Sequence, residues 1–251
     1  MHRIYRALFG LILLATPAVA GDGKQAAAQA VEAARGLQHH AAEVAAAGQR
    51  IDFAKAPAAD YFQRVFDSAS LAALPAPAAA DMPWVSEWFS ALNSANQTIV
   101  FFGTDTKRPA LQQQGQIGRN LAEYEDQFAL ATAFIQNMFA RLMTTALDFL
   151  NTLSEQERNS PVRQDGLAKM RHGYVDAVEG SLRFLAAGNV KPANIRIMTA
   201  ALRENAGTWS KIVPPADRGR LAKLIATARD KAGDAQSSEN LRAILSTLEA
   251  K

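Results

Sequence analysis

Histidine and carboxylate side chains are the residues most able to move protons or hold metal ions at neutral pH. The chain has four histidines and no cysteine. His39 and Glu43 stand four residues apart on a predicted helix, so one face of that helix could offer both to a metal ion. A firm site needs about three or four ligands, and no second cluster supplies them. The sequence therefore predicts a solvated helix face, with no metal and no cofactor.

Other catalytic patterns are missing from the sequence. A di-iron bundle would carry Glu-x-x-His on two helices, whereas Lys169 stands three residues before His172 and Gly36 three before His39. Haem-attachment, zinc-finger and thiol-redox motifs need cysteine. The Gly-x-Ser-x-Gly, His-Glu-x-x-His and Gly-rich phosphate-loop motifs are also absent. These observations favour a protein that is not an enzyme.

The first twenty residues have the three parts of an export signal. Arg3 and Arg6 provide the positive start, residues 7–15 form an apolar run, and Ala18-Val19-Ala20 supplies the small residues of a cleavage site. The apolar run is only about half as long as a membrane-spanning helix. We expect cleavage between Ala20 and Gly21 and a mature chain in the periplasm or outside the cell, with an uncleaved N-terminal anchor as the alternative. The short signal and the alanine-rich composition favour a bacterial source.

Charge and cysteine content narrow the classes of partner. Without cysteine the exported chain forms no disulfide, so its stability must come from apolar packing. Removing Arg3 and Arg6 from the 27 Lys/Arg leaves 25 against 24 Asp/Glu. A nearly neutral chain has no overall field to attract nucleic acid, and we expect none as a partner.

Apolar residues recur at helical spacing along most of the chain. The strongest pattern alternates steps of four and three residues through Ile117, Leu121, Tyr124, Phe128, Ala131, Ile135, Met138, Leu142, Thr145 and Phe149. This spacing is typical of the buried seam of a helix bundle. It predicts a long central helix that is apolar on nearly every side from 128 to 150. Polar residues interrupt the run, so the sequence predicts no transmembrane segment in the mature chain.

The N-terminal part is rich in alanine. Residues 23–47 contain few large aliphatic side chains, which predicts a peripheral, weakly buried helix softly interrupted at Gly36. An Ala/Pro-rich linker follows at 76–82. The sequence therefore predicts an N-terminal helical appendage over 21–82 and a main helical bundle over 83–251.

Proline and glycine mark further helix ends at 159–161, 188–189, 214–215 and 233. Short turns between helices favour an all-α, up-down bundle built around the long central helix. Residues 99–102 could form a strand instead, but no partner strand is predicted. Ser237 or Ser238 is the predicted cap of the last helix. No internal repeat of fixed period is evident.

Aromatic residues could serve either the core or a ligand. Trp84, Trp88, Phe102 and Phe134 could line a pocket for a small apolar ligand or lipid between helices. The simpler interpretation is that these rings fill the core.

Two regions could meet a partner protein or an anionic component of the cell envelope. The polar segment from Gly103 to Gln116, with Lys107 and Arg108, is long for a connection between helices, although it could simply be mobile. Residues 191–231 contain nine Lys/Arg against three acidic residues. On the predicted helices of that stretch two pairs of arginines each share a face, which could equally be plain solvated surface: Arg196 with Arg203, and Arg218 with Arg229.

The sequence thus predicts an exported, non-catalytic helical protein that acts as an interaction or accessory module. The first alternative is a carrier of a small apolar ligand. The second is an enzyme of unfamiliar type, which would require core-helix groups such as Arg141, Asp148 and His172 to converge in one cleft.

Overall fold

A computed structural model describes residues 21–73, 79–105, 107 and 109–249. Within these ranges the chain is helical and contains no strand, which confirms the all-α class. The alternative strand at 99–102 is wrong, because a helix continues to Val100 and a turn follows. The predicted export signal, residues 1–20, lies outside the described residues, as does part of the predicted linker, residues 74–78.

Most of the helices are joined by short connections, and the longer ones are residues 47–57 and 101–109. A 3-10 turn at Ala79–Asp81 precedes α4. The α-helices are α1 Gly21–Ala46, α2 Ala58–Val65, α3 Ser68–Ala73, α4 Met82–Val100, α5 Ala110–Glu123, α6 Glu125–Thr152, α7 Glu155–Arg158, α8 Pro161–Ala186, α9 Pro192–Glu204, α10 Ala206–Ile212, α11 Pro215–Lys231 and α12 Ala235–Glu249.

The described residues group into two compact units. The N-terminal unit comprises residues 21–73 and 84–135, and the C-terminal unit comprises residues 79–83 and 136–249. This grouping places α4 and α5 with the alanine-rich N-terminal helix, which differs from the predicted boundary after residue 82. The up-down arrangement of one bundle around the central helix stays a prediction.

The long seam predicted from Ile117 to Phe149 is interrupted at one residue. α5 ends at Glu123, and Tyr124, with φ −103° and ψ 30°, separates it from α6. The Tyr124 hydroxyl accepts a hydrogen bond from the backbone N–H of Ile51 at 3.2 Å. The break therefore coincides with a side chain that is held in the core.

In the N-terminal unit, α1 is better packed than its composition predicts. One face buries five alanines together with Leu37, which is fully buried, and α1 packs on α2. These alanines are Ala27, Ala30, Ala33, Ala34 and Ala41. Polar contacts also join α1 to α4: Gln38 bonds Ser94, and Arg35 lies 3.9 Å from Glu87. The expectation of weak burial is wrong because small side chains let neighbouring helices approach closely, so little apolar bulk is needed to exclude water.

Gly36 has a packing role rather than an interrupting one. α1 runs through Gly36 without a break. The ring of Tyr61 from α2 occupies the space that a Cβ atom at Gly36 would need. Glycine therefore sets the distance between these two helices.

The C-terminal unit contains two helical hairpins. α8 and α9 are joined through residues 187–191, and α11 and α12 through residues 232–234. Gly188 with φ 79° and Gly233 with φ 69° end the first helix of each hairpin. This left-handed conformation suits glycine because it has no Cβ. The first helix of each hairpin therefore ends in the same way, at a glycine.

The hairpins stack with their corresponding helices parallel. Along the α8–α11 pair, Glu179 binds Arg220, and further on Gly188 faces the side chain of Lys231. α9 packs on α12 in the same manner, with Asn240 Nδ2 donating to Thr199 Oγ1 at 3.3 Å. Stacked helical hairpins are the arrangement used by repeat proteins.

A weak sequence repeat accompanies this stacking. Asn194-Ile-Arg-Ile-Met in α9 corresponds to Asn240-Leu-Arg-Ala-Ile in α12, 46 residues later. Both asparagines are 3% exposed. The sequence analysis missed the repeat because two divergent copies produce no regular period.

Glu179 joins the two hairpins through charge. It is 8% exposed, and its carboxylate accepts from Arg183 Nε at 2.9 Å and Nη2 at 2.6 Å as well as binding Arg220. Asp217 lies 2.7 Å from the same Arg220 guanidinium. Each charge near this carboxylate therefore has a partner of opposite sign.

Substitution Gly36→Ala should destabilise the N-terminal unit, because the added methyl group overlaps the Tyr61 ring. We expect the free energy of unfolding to fall by about 1–3 kcal/mol, measured by urea denaturation with circular dichroism. The matched control is Gly118→Ala, in α5, where no atom lies within 4 Å of the new Cβ. An unchanged stability for Gly36→Ala would show that Tyr61 moves aside.

The N-terminus of α12 generates a pH-dependent prediction. Asp234, rather than Ser237 or Ser238, is its cap: the carboxylate accepts from the Ser237 N–H at 3.0 Å and from Ser237 Oγ at 2.7 Å. These hydrogen bonds, the backbone one first, lower the pKa of Asp234. The carboxylate's contribution to stability is therefore complete above the ordinary pKa of aspartate and is lost as pH falls through the lowered value.

We expect Asp234→Ala to lower the free energy of unfolding by about 0.5–2 kcal/mol at neutral pH. Urea denaturation repeated at decreasing pH should show this difference shrinking below the ordinary aspartate pKa. Ser238→Ala is the control and should change little. A difference that stays constant down to strong acid would contradict the capping role of the charged form.

Candidate functional site

The segment after α4 is shorter than predicted. The sequence predicts a polar loop from Gly103 to Gln116, but α5 already begins at Ala110, directly after Pro109. Proline is favourable just before or within the first turn of a helix, and glutamine, leucine and alanine are good helix formers. The expected loop is therefore wrong in its second half, where it is the exposed start of a helix.

The side chain of Asn120 holds this segment in place. It is 1% exposed, and its Nδ2 donates to the carbonyl oxygens of Val100 at 2.9 Å and Phe102 at 2.8 Å. Its Oδ1 accepts from Gln116 Nε2 at 2.9 Å. The last carbonyls of a helix have no partner within the helix, so Asn120 satisfies the end of α4 and ties it to α5.

Beyond this junction lies a surface pocket with a volume of about 340 Å³, which we name the α5 concavity. Residues 103–105 form one wall and the exposed face of α5 forms the other. It is lined by Gly103, Thr104, Asp105, Leu111, Gln112, Gln113, Gly115, Gln116 and Arg119. The lining thus combines amide, hydroxyl and charged groups with one large apolar side chain, Leu111.

Polar contacts shape the walls of the α5 concavity. Asp105 Oδ1 accepts from the backbone N–H of Lys107 at 2.9 Å, which closes the turn after α4. Arg119 Nη2 donates to Gln116 Oε1 at 2.6 Å. Thr104 Oγ1 is buried and has no hydrogen-bond partner in the described part of the chain. The surface therefore consists of polar groups fixed by local hydrogen bonds, with one buried hydroxyl that has no partner in the described part of the chain.

Leu111 is the most exposed large apolar side chain of this region. It is 80% exposed, and Phe101, at the other end of the segment, is 42% exposed. Lys107, a predicted contact residue, is also exposed. Arg108, predicted with it, lies outside the described residues. Contiguous apolar surface rimmed by polar groups is typical of surfaces that bind other molecules.

The predicted basic surface is partly used inside the C-terminal unit. Arg203 Nη1 donates to Asn240 Oδ1 at 2.9 Å, and Arg196 lies close enough to Asp234 to affect its pKa. Arg229 lies 3.4 Å from Asp230, and Arg218 is partly buried. Arg196 and Arg203 therefore interact with the turn before α12 or with α12 itself. Envelope binding by these four arginines stays a prediction.

The predicted apolar ligand site belongs to a chain of contacting rings in the N-terminal unit. Trp88 is 1%, Phe134 5% and Phe102 9% exposed, whereas Trp84 is half-buried. Neighbouring centroids lie 4.9–6.3 Å apart along the series Phe102, Tyr124, Phe53, Phe62, Phe66, Phe134 and Trp88. Rings at these distances touch, so no ligand fits between the paired rings.

The sequence did not predict Phe53 as a core residue, although its ring joins Tyr124 to Phe62 in this series of aromatic rings. It stands in the connection between α1 and α2 with no periodic pattern to mark it, yet it packs edge-on against Phe62 and Tyr124 at 5.5 Å. Burial raises the pKa of Tyr124. The series of contacting aromatic rings therefore forms part of the hydrophobic core of the N-terminal unit.

The histidines stand beside acidic residues at the surface. His39 lies 3.7 Å from Glu43, and His172 lies 3.5 Å from Asp176, with every one of these side chains more than half exposed. No group of three or more possible metal ligands occurs among the described residues. Asp148 is exposed like His172, and Arg141 is half-buried.

The described helices include none with the length and apolarity needed to cross a membrane. No protein-family model, curated protein or solved structure matches this chain. Its function has to be inferred from its own residues.

Replacing Asn120 by alanine tests whether this side chain holds the α5 concavity in place. Because the carbonyls of Val100 and Phe102 would lose their donor, we expect a loss of about 1–3 kcal/mol in the free energy of unfolding. Hydrogen exchange of the amides of residues 101–105 should also become faster. Gln114→Ala, an exposed position on the same helix, is the control. Equal exchange rates in both variants would show that Asn120 does not hold the turn.

Proposed function

We propose that this chain is an exported, non-catalytic helical protein that binds a partner, and that the α5 concavity is its contact surface. The observation that carries the proposal is the exposure of Leu111 at 80% on the rim of this concavity. Leaving a leucine side chain in water forgoes about 1.5–3 kcal/mol relative to burying it. A partner that covers the side chain recovers this free energy.

The composition of α5 supports the proposal. Residues 110–119 include no buried side chain, and the helix contains Gly115 and Gly118. Each glycine in an exposed helix costs about 1 kcal/mol relative to alanine. Packing within the unit therefore contributes little to the stability of the N-terminal turns of α5. These turns are held mainly through their connection to Asn120.

Binding at the α5 concavity is favoured over binding at the arginines of α9 and α11. Arg203 makes a hydrogen bond to α12, and Arg196 interacts with the turn that precedes α12. In contrast, Lys107 and Arg119 beside the α5 concavity form no ion pair within the described residues, so they can still bind an acidic group. Arg196 and Arg203 then act mainly as structural contacts between α9 and the second hairpin.

Export is the second part of the proposal. The charged, apolar and small-residue parts of residues 1–20 support it. N-terminal sequencing of the protein from a periplasmic fraction should begin at Gly21. Protein found in the cytosol and still beginning at Met1 would contradict export.

Site-specific cross-linking tests partner binding. Benzoyl-phenylalanine is placed at Leu111 of the exported protein, and the cells are irradiated. We expect a discrete cross-linked product, because the side chain lies on the contact surface. The matched control is the same amino acid at Val162, which is 64% exposed on α8. No product at Leu111, or the same products from both positions, would reject the α5 concavity as the contact surface.

A further inference from the structure

We infer that the α5 concavity binds an extended, acidic peptide segment of a partner protein that carries one large apolar side chain. This inference rests on the proposed function and adds the chemistry of the partner. Three observations support it: the distribution of charge, the hydrogen-bonding groups of the walls, and the position of Leu111.

Charge is unevenly distributed over the N-terminal unit. Residues 21–73 and 84–135 contain eight Lys/Arg and eleven Asp/Glu. Residues 103–119 alone carry three of these cations, Lys107, Arg108 and Arg119, but only one acid, Asp105. The rest of the unit is therefore strongly acidic, with five cations against ten acids. An acidic segment is attracted to this surface and repelled elsewhere on the unit.

The two cations of this segment that the structure describes, Lys107 and Arg119, are available to a ligand. Arg119 bonds to the neutral Gln116, and within the described residues neither Arg119 nor Lys107 forms an ion pair. Arg119 keeps further N–H donors, which match the oxygens of a carboxylate. The positive end of the α5 dipole also lies at Leu111 and Gln112 and adds to the attraction of an anion.

The neutral groups of the walls match a peptide backbone. Gln112 is an exposed amide that can both donate and accept, as a peptide group does. A free inorganic anion would use the cations but would leave the amides and Leu111 uncovered. An extended peptide uses all three kinds of group.

Leu111 specifies the apolar part of the ligand. Its 80% exposed side chain stands on the rim, and the concavity of about 340 Å³ has room for one side chain with a short stretch of backbone. An aliphatic or aromatic side chain beside Leu111 removes both surfaces from water. The expected ligand therefore has acidic residues on either side of one large apolar residue.

Selection from random peptides displayed on phage tests this inference with the full mature chain. We expect enriched peptides to share aspartate or glutamate next to leucine, isoleucine, valine or an aromatic residue. A synthetic, fluorescently labelled copy of the most enriched peptide is then titrated by fluorescence polarisation. Binding should weaken with added salt, because exposed charges contribute to it.

Two variants locate the binding. Leu111→Ser and Arg119→Glu should each weaken binding of the labelled peptide by about tenfold or more, corresponding to about 1.4 kcal/mol. The matched controls are Val162→Ser, an exposed apolar residue of α8, and Arg64→Glu, an exposed arginine of α2. Both controls should bind like the unmodified chain. Circular dichroism checks that every variant is folded.

Several outcomes overturn the inference. No enrichment, enrichment of basic peptides, or binding that Leu111→Ser and Arg119→Glu leave unchanged would each do so. A self-association in analytical ultracentrifugation that Leu111→Ser abolishes would assign the surface to a second copy of the chain instead. If cross-linking at Leu111 succeeds while peptide selection fails, partner binding stands and only the peptide chemistry is rejected.

Discussion

The buried amide of Asn120 is the contact on which the proposed binding surface depends. Its two hydrogen bonds to Val100 and Phe102 satisfy carbonyls that the end of α4 would otherwise bury without a donor. The same side chain fixes α5 against the end of α4 and the turn residue Phe102. A helix with little packing of its own is thereby kept at the surface in a defined position. Exposure and order are combined through one buried polar side chain.

Both units manage without disulfides, but by different means. The N-terminal unit uses close approach of small residues, with Gly36 beneath Tyr61, and a continuous series of aromatic rings. The C-terminal unit stacks two hairpins and joins them through polar side chains, notably Glu179 and Asn240. Such polar contacts are directional, so they determine which helices pair.

The charged residues of the two units also differ in whether they have partners within the fold. Arginines of the C-terminal unit, such as Arg203, act largely within the fold, although sequence counting makes that stretch the most basic of the chain. The described cations beside the α5 concavity, Lys107 and Arg119, are fewer, but neither forms an ion pair within the described residues. The number of cations in a segment is therefore a poor guide to where an anionic partner binds, because partners within the fold neutralise many of them.

The sequence by itself determined the helical class, the position of most helix ends and the absence of familiar catalytic motifs, because spacing, proline, glycine and motif residues act locally. Part of the candidate site was also visible, since Lys107 and the polar segment around it stood out by composition. The tertiary structure decided the rest. The break at Tyr124, the partner of Gly36, the stacking of the hairpins and the role of Asn120 each depend on contacts between residues far apart in the chain. Local sequence patterns do not predict such contacts.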